Sequence, residues 1–266
     1  MDLQLQGKHA LITGGSKGIG LACAKGFLEE GARVSLVSRE IANLEAGRTA
    51  LLGAFPDAAD RIFICSADLR SAAAAAAVVK RVESDVGPVD ILVNSAGAAK
   101  RTPPDELTPQ HWQDAMDAKY FTYIHMIDPL VKRMAARGAG VIVNIVGAGG
   151  KVAFPTHLPG GAANAALMLV SAGLAAAYGP KGVRVNVINP GITLTERMKE
   201  GLDADARLND ITPAESLRRA SSAMPLGRIA TPEEIANAVL FLCSPKASYI
   251  SGAILAMDGA VTPMVV

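Results

Sequence analysis

Thr13-Gly14-Gly15-Ser16-Lys17-Gly18-Ile19-Gly20 is the stretch on which the reading of this chain turns. It follows a short apolar run, His9–Ile12, and opens a helical pattern over Ile19–Glu30. Glycines at a strand-to-helix junction let the backbone turn sharply and approach a pyrophosphate, whose charge then rests on the helix N-terminus. Alone, such a turn is a weak signal. Its place at the first junction of an alternating chain makes it strong. Further strand-length runs lie at Arg33–Val37, Ile62–Cys65, Ile91–Val93, Val141–Ile145, Arg184–Ile188 and Ala253–Met257. Several are apolar on both faces, as parallel strands covered by helices are. Helical patterns separate them at Glu40–Leu52, Ser71–Val86, Pro109–Ala136, Ala162–Tyr178 and Thr231–Cys243. Thr231-Pro232-Glu233-Glu234 reads as an N-cap with proline in the first turn, and Gly31 and Gly179 as helix stops. Strict alternation predicts an α/β, doubly wound parallel sheet of Rossmann type. No linker, repeat or composition break divides residues 1–266, so a single domain is expected.

Composition narrows the function classes. Half of the 266 residues are hydrophobic and 19% are charged, which excludes a disordered chain. A net charge of +1 lacks the basic excess that phosphate-backbone binding needs, so no nucleic-acid partner is expected. Cys23, Cys65 and Cys243 are far apart and odd in number, which argues against a disulfide framework or a metal site and fits a reducing compartment. Met1–Gln6 is polar where a secretory signal would be basic and then apolar. The most apolar stretch, Ala165–Tyr178, falls short of the ~20 residues of a membrane span. It reads as a helix buried on most faces, at a subunit contact. A cytoplasmic protein without membrane or metal partners, probing a small-molecule substrate as a homo-oligomer, is the expectation.

The chain resembles the short-chain dehydrogenase/reductase family on residues that run through nearly its whole length. Its first turn has the family spacing Thr-Gly-x-x-x-Gly-x-Gly. Asp68-Leu69 follows the third strand, Asn94-Ser95-Ala96-Gly97 the fourth, and Asn189-Pro190-Gly191 with Thr195 the sixth; Gly252 and Asp258-Gly259 match the closing segment. The resemblance implies a nicotinamide dinucleotide. It places Gly14, Gly18 and Gly20, flanked by Ser16 and Ile19, at the pyrophosphate and Asp68-Leu69 at the adenine. Asn94, Ala96 and Gly97 fall on the ribose side, and Pro190, Gly191, Ile192 and Thr195 near the nicotinamide. It also implies a tetramer, or else a dimer, and a substrate lid over 194–225. The choice of dinucleotide has a physical argument. A site selecting NAD ends its second strand with an acid for the ribose 2′-hydroxyl. Here Val37-Ser38-Arg39 puts Ser38 at that place, and Arg39 with Lys17 can pair with a 2′-phosphate, which points to NADP(H).

The family's chemistry rests on Ser, Tyr and Lys, with an Asn on the preceding long helix, and here the pattern departs. The Lys position aligns with Asn164, which precedes Ala165-Ala166. Counting back four residues puts Gly160 at the Tyr position, and the usual further separation puts Gly147 at the Ser position. Lys119 stands where Asn is expected, so Asn and Lys have exchanged places. That exchange, with two side chains deleted, suggests a remodelled site in which Lys119 reaches the nicotinamide ribose or the space near Gly160 and Asn164 hydrogen-bonds to it. His157 is the candidate replacement acid, because an ordinary imidazole titrates near neutral pH. Tyr120 adjoins Lys119 but points ~100° away on a helix. Trp112 reads as core, Arg218-Arg219 as a solvated face with a possible acidic contact, and His9, His111 and His125 as structural or exposed. The expected function is an NADP(H)-dependent oxidoreductase acting on a carbonyl or an alcohol. The alternatives are a catalytically inactive NADP-binding protein, or a non-redox lyase or isomerase with Lys119 as base.

Overall fold

The computed structural model describes residues 1–97, 100–222 and 224–263. Seven strands, β1 (His9–Thr13), β2 (Arg33–Ser38), β3 (Ile62–Ser66), β4 (Ile91–Asn94), β5 (Gly140–Ile145), β6 (Val183–Pro190) and β7 (Ile254–Met257), form one sheet in the order β3-β2-β1-β4-β5-β6-β7. Every pairing is parallel. Successive residues of a strand face opposite sides, so Leu11 and Ile12 enter separate cores. One core packs Ile12, Phe27 and Leu36 with Val239 and Leu240. The other packs Leu11 and Val37 with Val79, Met126, Leu130 and Leu167. Covering both faces explains why the strands are apolar on both sides.

The helices are α1 (Gly18–Glu29), α2 (Ile41–Ala54), α3 (Ala72–Asp85), α4 (Pro109–Ala115), α5 (Thr122–Arg137), α6 (Leu158–Tyr178), α7 (Glu196–Leu208), α8 (Pro213–Ser222) and α9 (Pro232–Cys243). Thr231 and Glu234 make a reciprocal capping box at α9, as their spacing implies. Two expectations need correction, the long helix and the membrane-span length. The pattern over Pro109–Ala136 is not one regular helix. It is α4 and α5 joined through a wider π-type turn at Met116–Phe121, which rotates Lys119 relative to a regular helix. Gly179 lies just past the end of α6 at Tyr178, where the stop signal puts it. It has helical dihedrals and continues into a tight turn, and Gly182 takes the left-handed conformation at φ 75°. The length argument against a membrane span also fails, because α6 has 21 residues and lies within an apolar stretch at Pro155–Lys181 long enough to cross a bilayer. Its packing distinguishes it from a lipid-exposed span on that face: Ala163, Leu167, Met168, Ser171 and Ala175 are buried, and the helix lies against β6.

Strand order reverses between β1 and β4, so the loops leaving these two strands part there and open a crevice at the carboxyl edge of the sheet. A buried polar chain holds the strands beneath it. The Thr13 hydroxyl donates to Asn94 Oδ1 (3.3 Å), Asn94 Nδ2 to Asn144 Oδ1 (3.0 Å), Asn144 Nδ2 to Ser171 Oγ (2.9 Å), and Ser171 Oγ to the Leu167 carbonyl (2.6 Å). It links β1, β4, β5 and α6 through groups that have no access to water. Removing one member leaves its neighbours unpaired, at about 1–3 kcal/mol per buried group. Asn144→Ala should therefore lower the unfolding free energy by at least that amount in urea titrations. An unchanged midpoint and slope would contradict this account of the chain.

Candidate active site

The crevice is built by close backbone approach. Gly14 has φ 66°, and a Cβ there would lie 2.8 Å from the Ser95 carbonyl and 2.9 Å from Ala96. A Cβ on Gly20 would run into the Gly14 carbonyl. Any side chain at either position would push the first turn away from the β4 loop or from α1. The Thr13 hydroxyl also accepts from the N–H groups of Ser95 (3.1 Å) and Ala96 (3.2 Å). On the other side, Thr195 Cγ2 lies 3.2 Å from where a Gly18 Cβ would be, which brings the β6 loop over the turn. Gly14, Gly18, Gly20, Ala96 and Thr195 thus converge. Gly97 packs against Ala118 and Lys119 of the 116–121 turn. Ser16 lies beside α2 at Gly47, and Ile19 packs onto the core. No side chain caps α1, leaving its first N–H groups available.

At the end of β2, Arg39 is exposed and its carbonyl accepts from Ser66 Oγ (2.6 Å), while Ser38 Oγ donates to the Glu40 carbonyl (3.4 Å). Lys17 is exposed in the neighbouring turn. Neither cation has an ion-pair partner among the described residues. Asp68 grips Arg70 with both carboxylate oxygens (2.6–3.1 Å), and those bonds hold its carboxyl below the usual range. Asp68, Arg70 and Ser71 face Asp114, Asp117 and Ala118 across a cavity of about 660 Å³. Leu69 is buried, and its carbonyl accepts from the His125 ring. Asn94 is fully buried, so its side chain supports the crevice floor from within the polar chain and does not line it. Pro190 ends β6, Gly191 donates to the Met257 carbonyl (3.0 Å), Ile192 is exposed, and Thr195 caps α7.

Lys119 lies beside the end of β5, a place of unusual chemistry. It is 8% exposed; its Nζ donates to the Tyr123 hydroxyl (2.8 Å) and the Ile145 carbonyl (3.0 Å). The Tyr123 hydroxyl donates to the same carbonyl (2.6 Å). Burial without a compensating carboxylate lowers the Lys119 pKa to about 7 and raises that of Tyr123. A neutral amine has two N–H donors, which these acceptors use, and a lone pair left to take a proton. The sequence reading passed over Tyr123, although Lys119 and Tyr123 stand four residues apart on one helical face, the spacing at which side chains meet.

Asn164 does not bond to Lys119, contrary to expectation; both Lys119 partners lie on α5 and β5. Asn164 is 6% exposed, its side chain makes no hydrogen bond among the described residues, and its amide nitrogen lies 3.3 Å from where a Gly147 Cβ would be. Gly147 has φ 131°, a conformation that would strain a serine. His157 stands just before α6, at its N-cap position, with Cδ2 and Nε2 3.1 and 3.7 Å from the corresponding point at Gly149. Its Nδ1 is buried without a partner among the described residues, and burial first, then Arg101 and Lys119, lower its pKa. Gly160 is buried at the start of α6. Trp112 is 40% exposed and so is not core. Arg218 and Arg219 both pair with Glu215. Among the described residues no group of acidic, His or Cys side chains could hold a metal.

A family model described as enoyl-(acyl carrier protein) reductase matches residues 14–262. The chain belongs to the short-chain dehydrogenase/reductase family. It is 37% identical over 261 residues to D-threitol dehydrogenase of Mycolicibacterium smegmatis, covering 98% of this chain and 95% of that one. L-sorbose reductase from Gluconobacter frateurii, solved with NADPH and L-sorbose, superposes with a TM-score of 0.93 at 33% identity, covering 100% of both chains. An NADPH-bound short-chain oxidoreductase from Pseudomonas aeruginosa PAO1, described as containing an atypical catalytic centre, matches with a TM-score of 0.89 at 30% identity over 97% of this chain and 98% of that one.

The Lys119 environment has a signature in stability. The unfolded chain keeps this proton up to the ordinary 10.5, the folded chain only up to about 7. Between those values the unfolded state binds more protons, so this residue makes stability rise with pH and weakens the fold as pH falls towards 7. Lys119→Met should stabilise the protein by on the order of a few kcal/mol at pH 6, given ~1.4 kcal/mol per pKa unit, and by much less at pH 10. Urea unfolding at both pH values measures the difference, and an equal effect at both would refute the depressed pKa.

Proposed function

We propose that the protein is an NADP(H)-dependent oxidoreductase that interconverts a carbonyl and an alcohol on a small polar molecule, with proton handling that does not use the family's Ser, Tyr and Lys. The observation that carries the cofactor assignment is the glycine-built crevice at the β1/β4 reversal, with Arg39 and Lys17 exposed beside its β2 end and no acid at Ser38. The NADPH in the sorbose reductase and Pseudomonas structures agrees with it. The backbone at Gly14, Ser16, Gly18, Ile19 and Gly20 would hold the pyrophosphate, and Arg39 and Lys17 the 2′-phosphate. Asp68 and Leu69 would flank the adenine, Ala96 and Gly97 the ribose over the Asn94 floor, and Pro190, Gly191, Ile192 and Thr195 the nicotinamide. A bound nicotinamide supplies or accepts the hydride. Proton handling then falls to Lys119 at Nζ, which burial leaves titrating near neutrality, and to His157.

The departures at Gly147, Gly160, Asn164 and Lys119 support a remodelled site, since φ 131° at Gly147 goes with glycine and not with a truncated serine. A second reading, a dinucleotide-binding protein without turnover, draws on Lys119 being engaged by Tyr123 and the Ile145 carbonyl. We read the whole chain as one domain, with 194–225 as a substrate lid formed by α7 and α8; Ala223 in that range lies outside the described residues. A cytoplasmic homotetramer, or else a dimer, completes the reading. Leu169 stands 76% exposed in the middle of α6, which suits burial by a second copy.

A charge-assisted bond to phosphate contributes roughly 1.5–3 kcal/mol, or about one to two decades in affinity. Arg39→Ala should weaken NADPH binding by that factor in fluorescence titrations and leave NADH nearly unchanged; equal affinity of the unmutated protein for the two would overturn the assignment. Light scattering at micromolar concentration should give a tetramer or dimer mass, and a monomer would remove the oligomer.

A further inference from the structure

Tyr123 has no access to water, and proton transfer by Lys119 and His157 leaves its hydroxyl without a part. That hydroxyl donates to the Ile145 carbonyl (2.6 Å) and accepts from Lys119 Nζ (2.8 Å), while Nζ donates to the same carbonyl (3.0 Å). The three bonds close a triangle whose directions are forced. A carbonyl only accepts, so the hydroxyl hydrogen is committed to Ile145 and only its lone pairs remain for the amine. A neutral amine then places both hydrogens on the two oxygens, and its lone pair points away from them. An ammonium would carry a third hydrogen with no acceptor among the described residues. Beside it would lie only the Tyr123 ring, whose centroid is 4.6 Å from Nζ.

We propose that Tyr123 is a positioning residue for Lys119: its hydroxyl locks the amine in one orientation, with a single lone pair free for the substrate's proton. The inference rests on Lys119 being the group that handles that proton, and adds the residue that fixes its geometry. Burial raises the phenol's pKa, so Tyr123 keeps its own proton and acts only through Lys119. No charged neighbour supplies the same control. The turn that carries Lys119 packs on α4, α5 and α6. On the α4 side, Asp114 and Asp117 accept from Gln110 (2.7 Å) and Gln113 (3.0 Å) and line the outer cavity. His111 on α4 bonds Thr108, and His125 on α5 bonds the Leu69 carbonyl. α6 holds no charged residue. His157, just before it, has its own pKa lowered in part by Lys119 and by Arg101. Burial is what lowers the Lys119 pKa itself.

The test follows the Lys119 signal of the full chain, labelled with 13C at lysine Cε, by 1H–13C NMR across pH; the signal missing from Lys119→Met assigns it. In the unmutated protein it should titrate at about 7. Tyr123→Phe keeps the ring and removes one oxygen. The ammonium then loses a charge-assisted bond and the neutral amine only a weaker one, so the midpoint should move to lower pH by roughly 0.5–1. A protein made with 3-fluorotyrosine, whose hydroxyl is a weaker acceptor of nearly the same size, should move the same way by less. It covers the case in which Tyr123→Phe fails to fold. A Lys119 signal titrating at the ordinary lysine pH, or a midpoint that stays put or rises in a folded variant, would overturn the proposal. Lost stability with an unmoved midpoint would make Tyr123 a structural residue only. Undiminished NADPH oxidation by Lys119→Met in the presence of a carbonyl compound would sink the proton-handling reading separately, and the NMR midpoint would still decide whether Tyr123 holds the amine.

Discussion

Everything at the carboxyl edge of this sheet depends on how closely two stretches of backbone can approach where the strand order reverses. The turn after β1 touches the loop after β4 at Gly14 and folds back on itself at Gly20, both without room for a Cβ. The Thr13 hydroxyl ties the two loops by accepting two backbone N–H groups and donating to Asn94. That contact fixes the crevice and aims the free N-terminus of α1 into it. From there the polar chain through Asn144 and Ser171 carries the same constraint to β5 and α6, the elements that bear the remaining site residues.

Charge is distributed over this frame in two regimes. Around the outer crevice, Arg39 and Lys17 are hydrated and cost the fold little to keep. Lys119 is in the opposite regime, because its amine has been taken from water and given two neutral acceptors instead of a carboxylate. A cation in such a place is destabilising, and the relief is loss of the proton. The wide turn at 116–121 is what turns this side chain inward, and Gly97 lets the β4 loop pack directly onto it. Perturbed lysines of this kind concentrate where chemistry is done, although structural networks also produce them.

Sequence alone determined the architecture, because its rules are local and repeat. Runs such as Val141–Ile145, apolar on both faces, can only be strands covered on both sides, and their alternation with helical patterns leaves few topologies. The glycine turn was legible for the same reason: each glycine answers to a contact within a few residues or across one known junction. The Thr231 cap was legible too, since both of its partners lie within one turn.

Only the tertiary structure decided what the exchanged pair does. Position in a motif placed Lys119 and Asn164 near each other, but direction comes from the helix each rides on. Lys119 meets Tyr123 at an ordinary four-residue spacing, but its other partner is the Ile145 carbonyl of β5, which no helical spacing encodes, while α6 faces Asn164 towards Gly147 and Gly149. The same holds for Trp112, which is 40% exposed although its helical pattern reads as core. Periodicity records which residues share a face; which face meets which neighbour, and whether water reaches it, is settled by long-range packing that no local spacing encodes.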